Sequence, residues 1–545
     1  MQKLKTINKE NLLESNYSNK IALAHRKKFA QFFTPYPIAL LMSKWILGNK
    51  NAKTILEPAF GLGIFSRALL SQNKDLKIKG FEIDEIIFEE ASPFFKENEN
   101  VEIELKDYIF NDWQNKYDGI ICNPPYFKFH DYDNKVILKE IKDKLEYDLN
   151  GFTNLYALFL LKSLSQLNQN GRAAYIIPSE FLNSDYGKMV KTYLLKSGMI
   201  RHIIVVDFEE NVFDDALTTA CIVLCANDEN KNEVEQKQQK IQFTSITSLN
   251  DLEKIEKLIK IYPIYEVEES KKLYILEELN PDIKWRYYYQ TQNSERFKNL
   301  VPFGLFGKVV RGIATGSNEY FTFTKKKAEE LNILEKNLLP CICKSTDVKN
   351  AFFTETDFEI LKSNNRPVFL FHAKDSSEEN INEYIKQGEE KLIHKKYLTS
   401  SRNPWYSLEK RPPSPIWVSV FNRNGLRFVR NEAQVSNLTT FHCIYPSKNN
   451  SVSNVSIDLL FAYLLTDTAR EIFEDNRREY GNGLQKFEPN DINKSKILNL
   501  SLLSENSKSI ILDLYQEYRK SVLNGEIEEG KIKEINDILL EEFEK

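Results

Sequence analysis

Between Thr54 and Cys225 the chain alternates short, β-branched apolar runs with stretches of helical period, and that rhythm leaves few folds open. Residues 54–57, 78–83, 101–105, 119–122, 173–177 and 202–207 read as buried strands, and 218–225 as a further one. Stretches 64–70 and 154–167 between them carry an amphipathic helical pattern. Strands that alternate with helices build a doubly wound, mostly parallel α/β sheet. A polar, charge-rich stretch over 227–240 is the best linker in the chain. Beyond it the rhythm stops. Residues 284–290, 308–315, 416–420 and 439–445 read as strands of a mixed α+β domain, and 506–545 as a helical hairpin broken at Asn524-Gly525. The expected division is 1–240, 241–500 and 501–545.

The bulk numbers narrow the class. A 545-residue chain that is 42% hydrophobic and 28% charged is folded and has two or three domains. Its richest apolar run, Leu155 to Leu161, meets Lys162 well short of the roughly 20 residues a bilayer span needs. The first 20 residues lack the apolar centre of a signal peptide. Six cysteines without Cys-x-x-Cys spacing point to reduced thiols, no structural metal and a cytoplasmic protein. A net charge of −4 neither advertises nor excludes a polyanionic partner, because local patches set the field.

Thr54 to Gly63 is a strand running into a glycine turn and then a helix. Glycine permits a tight turn and close approach of a ligand to the backbone. This is not a dinucleotide fingerprint, because Ser66 stands where the third glycine would be. Glu82 ends the next strand, about 20 residues on, where such folds place an acid on ribose hydroxyls, with Ile83 beside it. Asp107, after the third strand, suits an acid that accepts from an adenine amino group, and Tyr108 would lie against that ring.

Asn123-Pro124-Pro125-Tyr126, directly after a strand, is the most specific signal. Two prolines stiffen the loop and withhold their amide hydrogens. The Asn123 side-chain oxygen and the Pro124 carbonyl become two acceptors aimed at one point, with the Tyr126 ring beside them. That arrangement suits an exocyclic amine such as adenine N6, whose lone pair is delocalised into the ring. Two acceptors holding its hydrogens favour the pyramidal nitrogen and stabilise the positive charge that develops on it. Alignment with an already reactive methyl donor is then the main task, and neither a metal nor a strong base is needed.

The pattern resembles the γ-class adenine-N6 DNA methyltransferases of restriction–modification systems, the TaqI-like group, closely over the first 225 residues and loosely thereafter. Gln31-Phe32-Phe33-Thr34-Pro35 matches that family's N-terminal motif, in which the threonine implies a contact to the carboxylate of S-adenosylmethionine. Glu57, Pro58 and Ala59, with Gly61, match its glycine-turn motif. Glu82 matches its ribose acid, Asp107 and Tyr108 its adenine pair, Asn123 to Tyr126 its catalytic motif, and Asn154 to Tyr156 the helix behind it. Val212-Phe213 resembles a late motif whose aromatic, here Phe213, would clamp a flipped base. The resemblance implies a Rossmann-like methyltransferase domain followed by a target-recognition domain. It also implies S-adenosylmethionine as cofactor, double-stranded DNA as substrate, a separately encoded restriction endonuclease as functional partner, and a monomer.

Only about sixty residues separate the glycine turn from the catalytic motif, so recognition is expected after residue 240. Residues 401–430 hold Arg402, Lys410, Arg411, Arg423, Arg427 and Arg430 against one acid, Glu409, with Trp405, Tyr406 and Trp417 interleaved. Cations with aromatics are what phosphate gripping with stacking would use. Arg311, in the run Val310 to Gly316, resembles the opening of the family's recognition domain. Arg477, Arg478, Asn482 and Lys486 are further candidates. Three rival readings remain. The same tetrapeptide serves enzymes that methylate a glutamine amide in protein or an exocyclic amine in RNA, but those chains are much shorter. A modification subunit that needs a separate specificity subunit would not need so long a second half. A fused nuclease is not expected, because the motifs start near residue 25 and no Pro-Asp…Glu-x-Lys constellation follows them.

Overall fold

The computed structural model describes residues 11–128, 133–149, 153–184, 186–206, 220–228, 235, 238–265, 272–373, 378–422, 425–447, 455–480 and 484–545. The chain divides into two compact units, one running to Thr291 and a second from Gln292, with Glu479 and Tyr480 grouped with the first.

The first unit is built on a nine-stranded sheet. Its strands are β1 (Thr54–Glu57), β2 (Lys77–Glu82), β3 (Val101–Leu105), β4 (Tyr117–Cys122), β5 (Leu167–Pro178), β6 (Ile200–Val206), β7 (Ala220–Ala226), β8 (Lys240–Ile246) and β9 (Lys272–Ile275). They lie in the order β3-β2-β1-β4-β5-β7-β6-β8-β9. β1 to β5 run parallel, and β7 is antiparallel to both β5 and β6. The chain reverses its direction of travel across the sheet between β1 and β4, and ligands of open α/β sheets bind outside the carboxyl ends of the strands at such a switch point.

Alternation along each strand feeds two cores. Ile120, Cys122, Ala173, Tyr175, Ile203 and Val205 pack on one face with the Leu155–Ser165 helix. Ile121, Ala174, Ile176, Ile204 and Val206 pack on the other with the Tyr36–Leu47 and Ile64–Leu70 helices. Both faces are covered, so β6 and β7 are buried at every position. Asp118 pins the start of β1, accepting from the Lys53 and Thr54 amides at 2.9 and 3.0 Å. These bonds hold its carboxyl below the usual range, against the upward push of burial.

Two expectations are corrected here. The sheet does not end at residue 240: β8 pairs in parallel with β6, and β9 pairs antiparallel with β8, so the expected boundary falls inside the first unit. The expected strand over 284–290 is instead the single helical turn Arg286–Tyr289. Trp285 and Tyr288 are buried there against Phe243 of β8, with ring centroids 5.7 and 5.4 Å away. Aromatic enrichment imitates a strand, but burying two neighbouring rings on one sheet face suits a turn of helix.

The second unit holds a five-stranded sheet in the order Gly307–Arg311, Phe441–Pro446, Ile416–Ser419, Phe428–Asn431, Phe352–Phe353. The strands expected over 308–315, 416–420 and 439–445 are therefore present, the first of them shorter than expected. The helices Glu505–Asn524 and Glu529–Phe543 form the expected hairpin. Gly525 caps the first at φ +80°, where an L side chain would be strained although nothing lies within 4 Å of its Cβ position. Ile511, Tyr515, Ile535 and Leu539 of this hairpin share one core with Ile416, Val418 and Ile444 of the sheet, so the segment over 501–545 is part of the second unit rather than a body of its own.

A fragment ending at residue 240 exposes the edge of β6, seven consecutive buried residues with unpaired main-chain groups. It is expected to aggregate, whereas a fragment ending at 291 stays soluble with native-like circular dichroism. Equal soluble yields of the two would contradict the structure.

Candidate active site

The carboxyl ends of β1, β2, β3 and β4 open on one cavity of about 340 Å³. Thr34, Glu57, Pro58, Ala59, Gly61, Glu82, Ile83, Asp107, Tyr108 and Asn123 all line it. Its roof comes from residues 28–34, and Pro125, Phe127, Leu155 and Phe159 close it toward the β4 side.

Glu57 ends β1, is 1% exposed, and accepts from the Ser66 amide at 3.0 Å and from the Ser66 hydroxyl. Ser66 lies in the first turn of the Ile64–Leu70 helix, so a carboxylate already occupies the donor end of that helix. Burial pushes Glu57 up to about 8. Gly61 and Gly63 turn the chain at φ +54° and +69°, and a Cβ on Gly63 would collide with Phe60 and Phe95. Glu82 accepts from the Gly61, Ile83 and Asp84 amides at 2.8, 2.8 and 2.9 Å, which fixes its carboxylate at the cavity wall, and burial raises its pKa. Ile83 is 61% exposed, an apolar surface at the cavity that no core explains. Asp107 accepts from the Ile109 amide at 2.8 Å and is also raised by burial. Tyr108 is 1% exposed, between Phe81 and Phe159, with its hydroxyl bonded to Ser163 and Gln166.

Asn123 sits on the stiff corner after β4. Its Nδ2 donates to the Phe32 carbonyl at 2.8 Å and to Thr34 Oγ1 at 3.1 Å. With the amide nitrogen committed twice, Oδ1 is the atom left as an acceptor. Tyr126 Oη donates to the Ile176 carbonyl at 3.1 Å, and its ring stacks on Phe32 with centroids 6.3 Å apart. Pro124 is buried, and neither it nor Tyr126 lines the cavity. Phe213 and Arg423 lie outside the described residues.

Two residues that the sequence reading gave no role, Asp84 and Lys162, hold the site together. Asp84 accepts from Gln31 Nε2 at 2.6 Å, pairs with His25 Nε2 at 2.8 Å, and caps the Glu85–Phe95 helix, so it ties the roof segment to the turn after β2. Lys162, the charge that interrupts an apolar helix, donates to the Tyr108 and Asn111 carbonyls and lies 3.9 Å from the Tyr108 ring centroid. Burial lowers it to about 7. The visible signal was a lysine inside a run too apolar to be a surface helix.

In the second unit most candidate cations are spent on main-chain acceptors. Arg402 donates to the Thr315 carbonyl at 2.9 Å and to that of Ala314, and Arg411 donates to the Arg311 carbonyl. Arg427 bonds the Val348 and Asn350 carbonyls at 2.7 and 3.2 Å, while Arg430 bonds Pro415 O at 3.0 Å and Asp458 at 3.3 Å. Arg477 pairs with Glu474 and Lys486 with Glu488. The side chain of Arg478 and all of Asn482 fall outside the described residues. Trp417 is fully buried against Phe441 and Phe353, so the structure corrects its reading as a stacking surface to core. Arg311 remains 60% exposed, with one 3.3 Å contact to Glu488.

Residues 7–213 match the family described as Eco57I restriction-modification methylase, and 285–540 match the C-terminal domain of the type II methyltransferase M.Eco57I. The chain is 62% identical over 533 residues to the type II methyltransferase M.AccI of Acinetobacter calcoaceticus, covering 98% of this chain and 97% of that one. The chain belongs to the type II restriction–modification methyltransferases. M.XamI of Xanthomonas campestris pv. amaranthicola matches at 22% identity over 88% of this methyltransferase and 87% of its own length. Among solved structures, a nuclease-deletion mutant of the Type ISP enzyme LlaGI matches with TM-score 0.51 and 13% identity, and DrdV in its DNA complex with 0.50 and 13%. They cover 93% and 94% of this chain but only 56% and 59% of those longer proteins, and they support the fold alone.

Methyltransferases of this fold use S-adenosylmethionine, and the donor set fits that ligand. Glu57, Glu82 and Asp107 line the cavity with carboxyl oxygens, which suit ribose hydroxyls and an amino group and oppose a pyrophosphate. The helix end where a dinucleotide phosphate would bind is filled by Glu57. Ile83 offers an apolar contact for a planar base. Among the described residues all six cysteines are free and buried, no group of metal-ligating side chains forms, and no helix is long and apolar enough to cross a membrane.

Glu57 carries a pH signature. Its ordinary value is 4.5, so between there and about 8 the unfolded chain ionises while the folded one holds the proton. Stability is lost over that window and levels off above it. Glu57→Gln is expected to unfold at a higher temperature, by a margin that widens from pH 4.5 to about 8. The parent's affinity for S-adenosylmethionine should rise with pH over the same range and the variant's should not. Thermal scans and calorimetric titrations at several pH values check both.

Proposed function

We propose that this methyltransferase transfers the methyl group of S-adenosylmethionine to N6 of an adenine flipped out of double-stranded DNA. On this reading it is a γ-class enzyme that protects its host's DNA from a cognate restriction endonuclease. The observation that carries the proposal is the orientation of Asn123: Nδ2 is held by Phe32 O and Thr34 Oγ1, so Oδ1 faces a substrate as an acceptor.

The cofactor supplies an electrophilic methyl on a sulfonium. Everything else falls to the chain. Glu82 and Asp107 hold a nucleoside by hydroxyls and an amino group, and Ile83 packs on its base. Asn123 Oδ1 and the Pro124 carbonyl accept the two amino hydrogens of the target adenine, which keeps its nitrogen pyramidal and stabilises the positive charge formed there. Tyr126, steadied by its bond to Ile176 O and by Phe32, offers a ring to the base. Phe32, Leu155 and Phe159 keep the cavity apolar on that side and exclude water. The extruded base costs a few kcal/mol, which recognition contacts must offset. Those contacts fall to the second unit, where Arg311 is exposed for a phosphate or base and Arg402, Arg411, Arg427 and Arg430 shape the main chain around it.

The order of the motifs supports the γ class: the roof segment precedes the glycine turn, the catalytic corner follows, and about 250 residues remain for recognition. M.AccI is matched end to end by this single chain, which favours DNA modification without a separate specificity subunit and disfavours the shorter protein- and RNA-directed enzymes.

The purified chain with plasmid DNA and tritiated S-adenosylmethionine is expected to label DNA, and nucleoside digests to contain N6-methyldeoxyadenosine. Asn123→Ala should lower the rate by about 10²–10³-fold while leaving cofactor affinity within a few-fold. Label found only in N4-methylcytosine, in RNA or in protein, or an undiminished rate in the variant, would refute the proposal.

A further inference from the structure

Tyr397 is 90% exposed, more than any other large apolar side chain among the described residues. A lone exposed ring is ordinary, but its setting is not. The turn that presents it is anchored on both sides by buried Ile393 and Thr399, and Thr399 Oγ1 bonds the Ile393 and Lys396 carbonyls. Leu392, at φ +55°, and Leu398 are exposed beside it. The surrounding sequence carries Lys391, Lys395, Lys396 and Arg402, with no acid between Glu390 and Glu409. None of those three lysines has an acidic partner among the described residues.

This turn is joined to the segment that carries Arg311. Lys396 Nζ donates to Ser317 Oγ at 2.9 Å, and Arg402 bonds the Thr315 carbonyl at 2.9 Å. Gly316, at φ +82°, lies so close that a Cβ on it would stand 3.0 Å from Leu398 Cβ. Two segments far apart in sequence thus make one rigid, cationic surface with an unsupported aromatic ring, on a chain whose net charge is −4. Exposed lysines without acidic partners, beside an exposed ring, suit a partner with regularly spaced phosphates and flat sugar or base surfaces.

We propose that residues 391–402 and 311–317 form a duplex-DNA contact surface in which Lys395 and Lys396 grip phosphates and Tyr397 packs its ring on the sugar or base edge. This deepens, and rests on, the reading of the chain as a DNA methyltransferase.

The test uses the full-length chain and a fluorescein-labelled, mixed-sequence DNA duplex, with binding measured by anisotropy over a salt series. Lys395→Ala/Lys396→Ala is expected to weaken binding about ten-fold or more and to reduce the slope of log K against log salt by about 2, near 0.9 for each lost phosphate contact. Tyr397→Ala should weaken binding with the slope unchanged, and Tyr397→Phe should restore it. S-adenosylmethionine affinity, read on the same preparations, should stay at the parent's value, which shows that the variants are folded. A parent that binds DNA, with variants that match it in affinity and slope, overturns this surface while leaving the functional reading intact. A parent that binds cofactor but neither binds nor methylates DNA overturns both.

Discussion

The bonds from Asn123 Nδ2 to Phe32 O and Thr34 Oγ1 are the constraint on which the site depends. They join the end of β4 to a segment some ninety residues earlier, and they do two things at once. They close the roof of the cavity, and they decide which end of a near-symmetric amide faces outward. The second effect is chemical: an amide turned the other way would present donors where this one presents an acceptor. Two neutral bonds of this kind are worth about 1 kcal/mol each in stability, yet the orientation they fix decides whether the corner can accept at all. Asp84 supports the same segment from the opposite side through Gln31 and His25, so the roof is held at two points.

The site's charge follows from where the acids stand. A parallel sheet delivers the ends of β1, β2 and β3 to one edge, and this chain places a carboxyl at or just after each. Two of them are engaged by backbone amides of turns, which is how a buried carboxyl remains tolerable. Burial outweighs the hydrogen bonds at all three, and it carries Glu57, held by the Ser66 amide and hydroxyl, up to about 8. The position of Glu57 also settles which ligands the helix start can take. A glycine turn before a helix is generic, and the acid at its donor end separates this version from a phosphate-binding one.

Legibility in the sequence followed the length scale of each cause. Strand β1 was readable to the residue from its buried apolar run, and β3, at the sheet edge, from the alternation of Val101, Ile103 and Leu105 with glutamates. Glu57, Glu82, Asp107 and Asn123 were readable because each stands at or just after the end of a strand, whereas Thr34, on the roof segment, was legible only through its motif. What depended on distant packing was not legible. Strand β8 begins at the end of a polar stretch and intersperses Ile241, Phe243 and Ile246 with polar residues, so the stretch before it read as a linker. Trp285 and Tyr288 carry strand-like chemistry but pack as one helical turn on Phe243. Lys162 and Asp84 act through carbonyls and amides that no local pattern announces.

The cations of the second unit show the same limit from another direction. A run of arginines reads as a surface for phosphates, yet arginine's fork is equally suited to binding several carbonyls at once. Arg402 and Arg427 do this here, each crossing from one segment to two carbonyls of another, while Arg411 bonds the Arg311 carbonyl and pairs with Glu409. The energetic logic favours it: a loop without regular strands leaves carbonyls unpaired, and a partly buried guanidinium satisfies two of them where a side-chain amide would satisfy one. Lysine, a compact point charge on a flexible stem, is the poorer internal clamp and the more natural surface cation. Composition alone therefore places the basic surface at the arginines, whereas the geometry leaves Lys391, Lys395 and Lys396 facing solvent beside an exposed ring. A small negative net charge therefore says little about the local field, which follows from which cations are turned inward and which stay at the surface without an acidic partner.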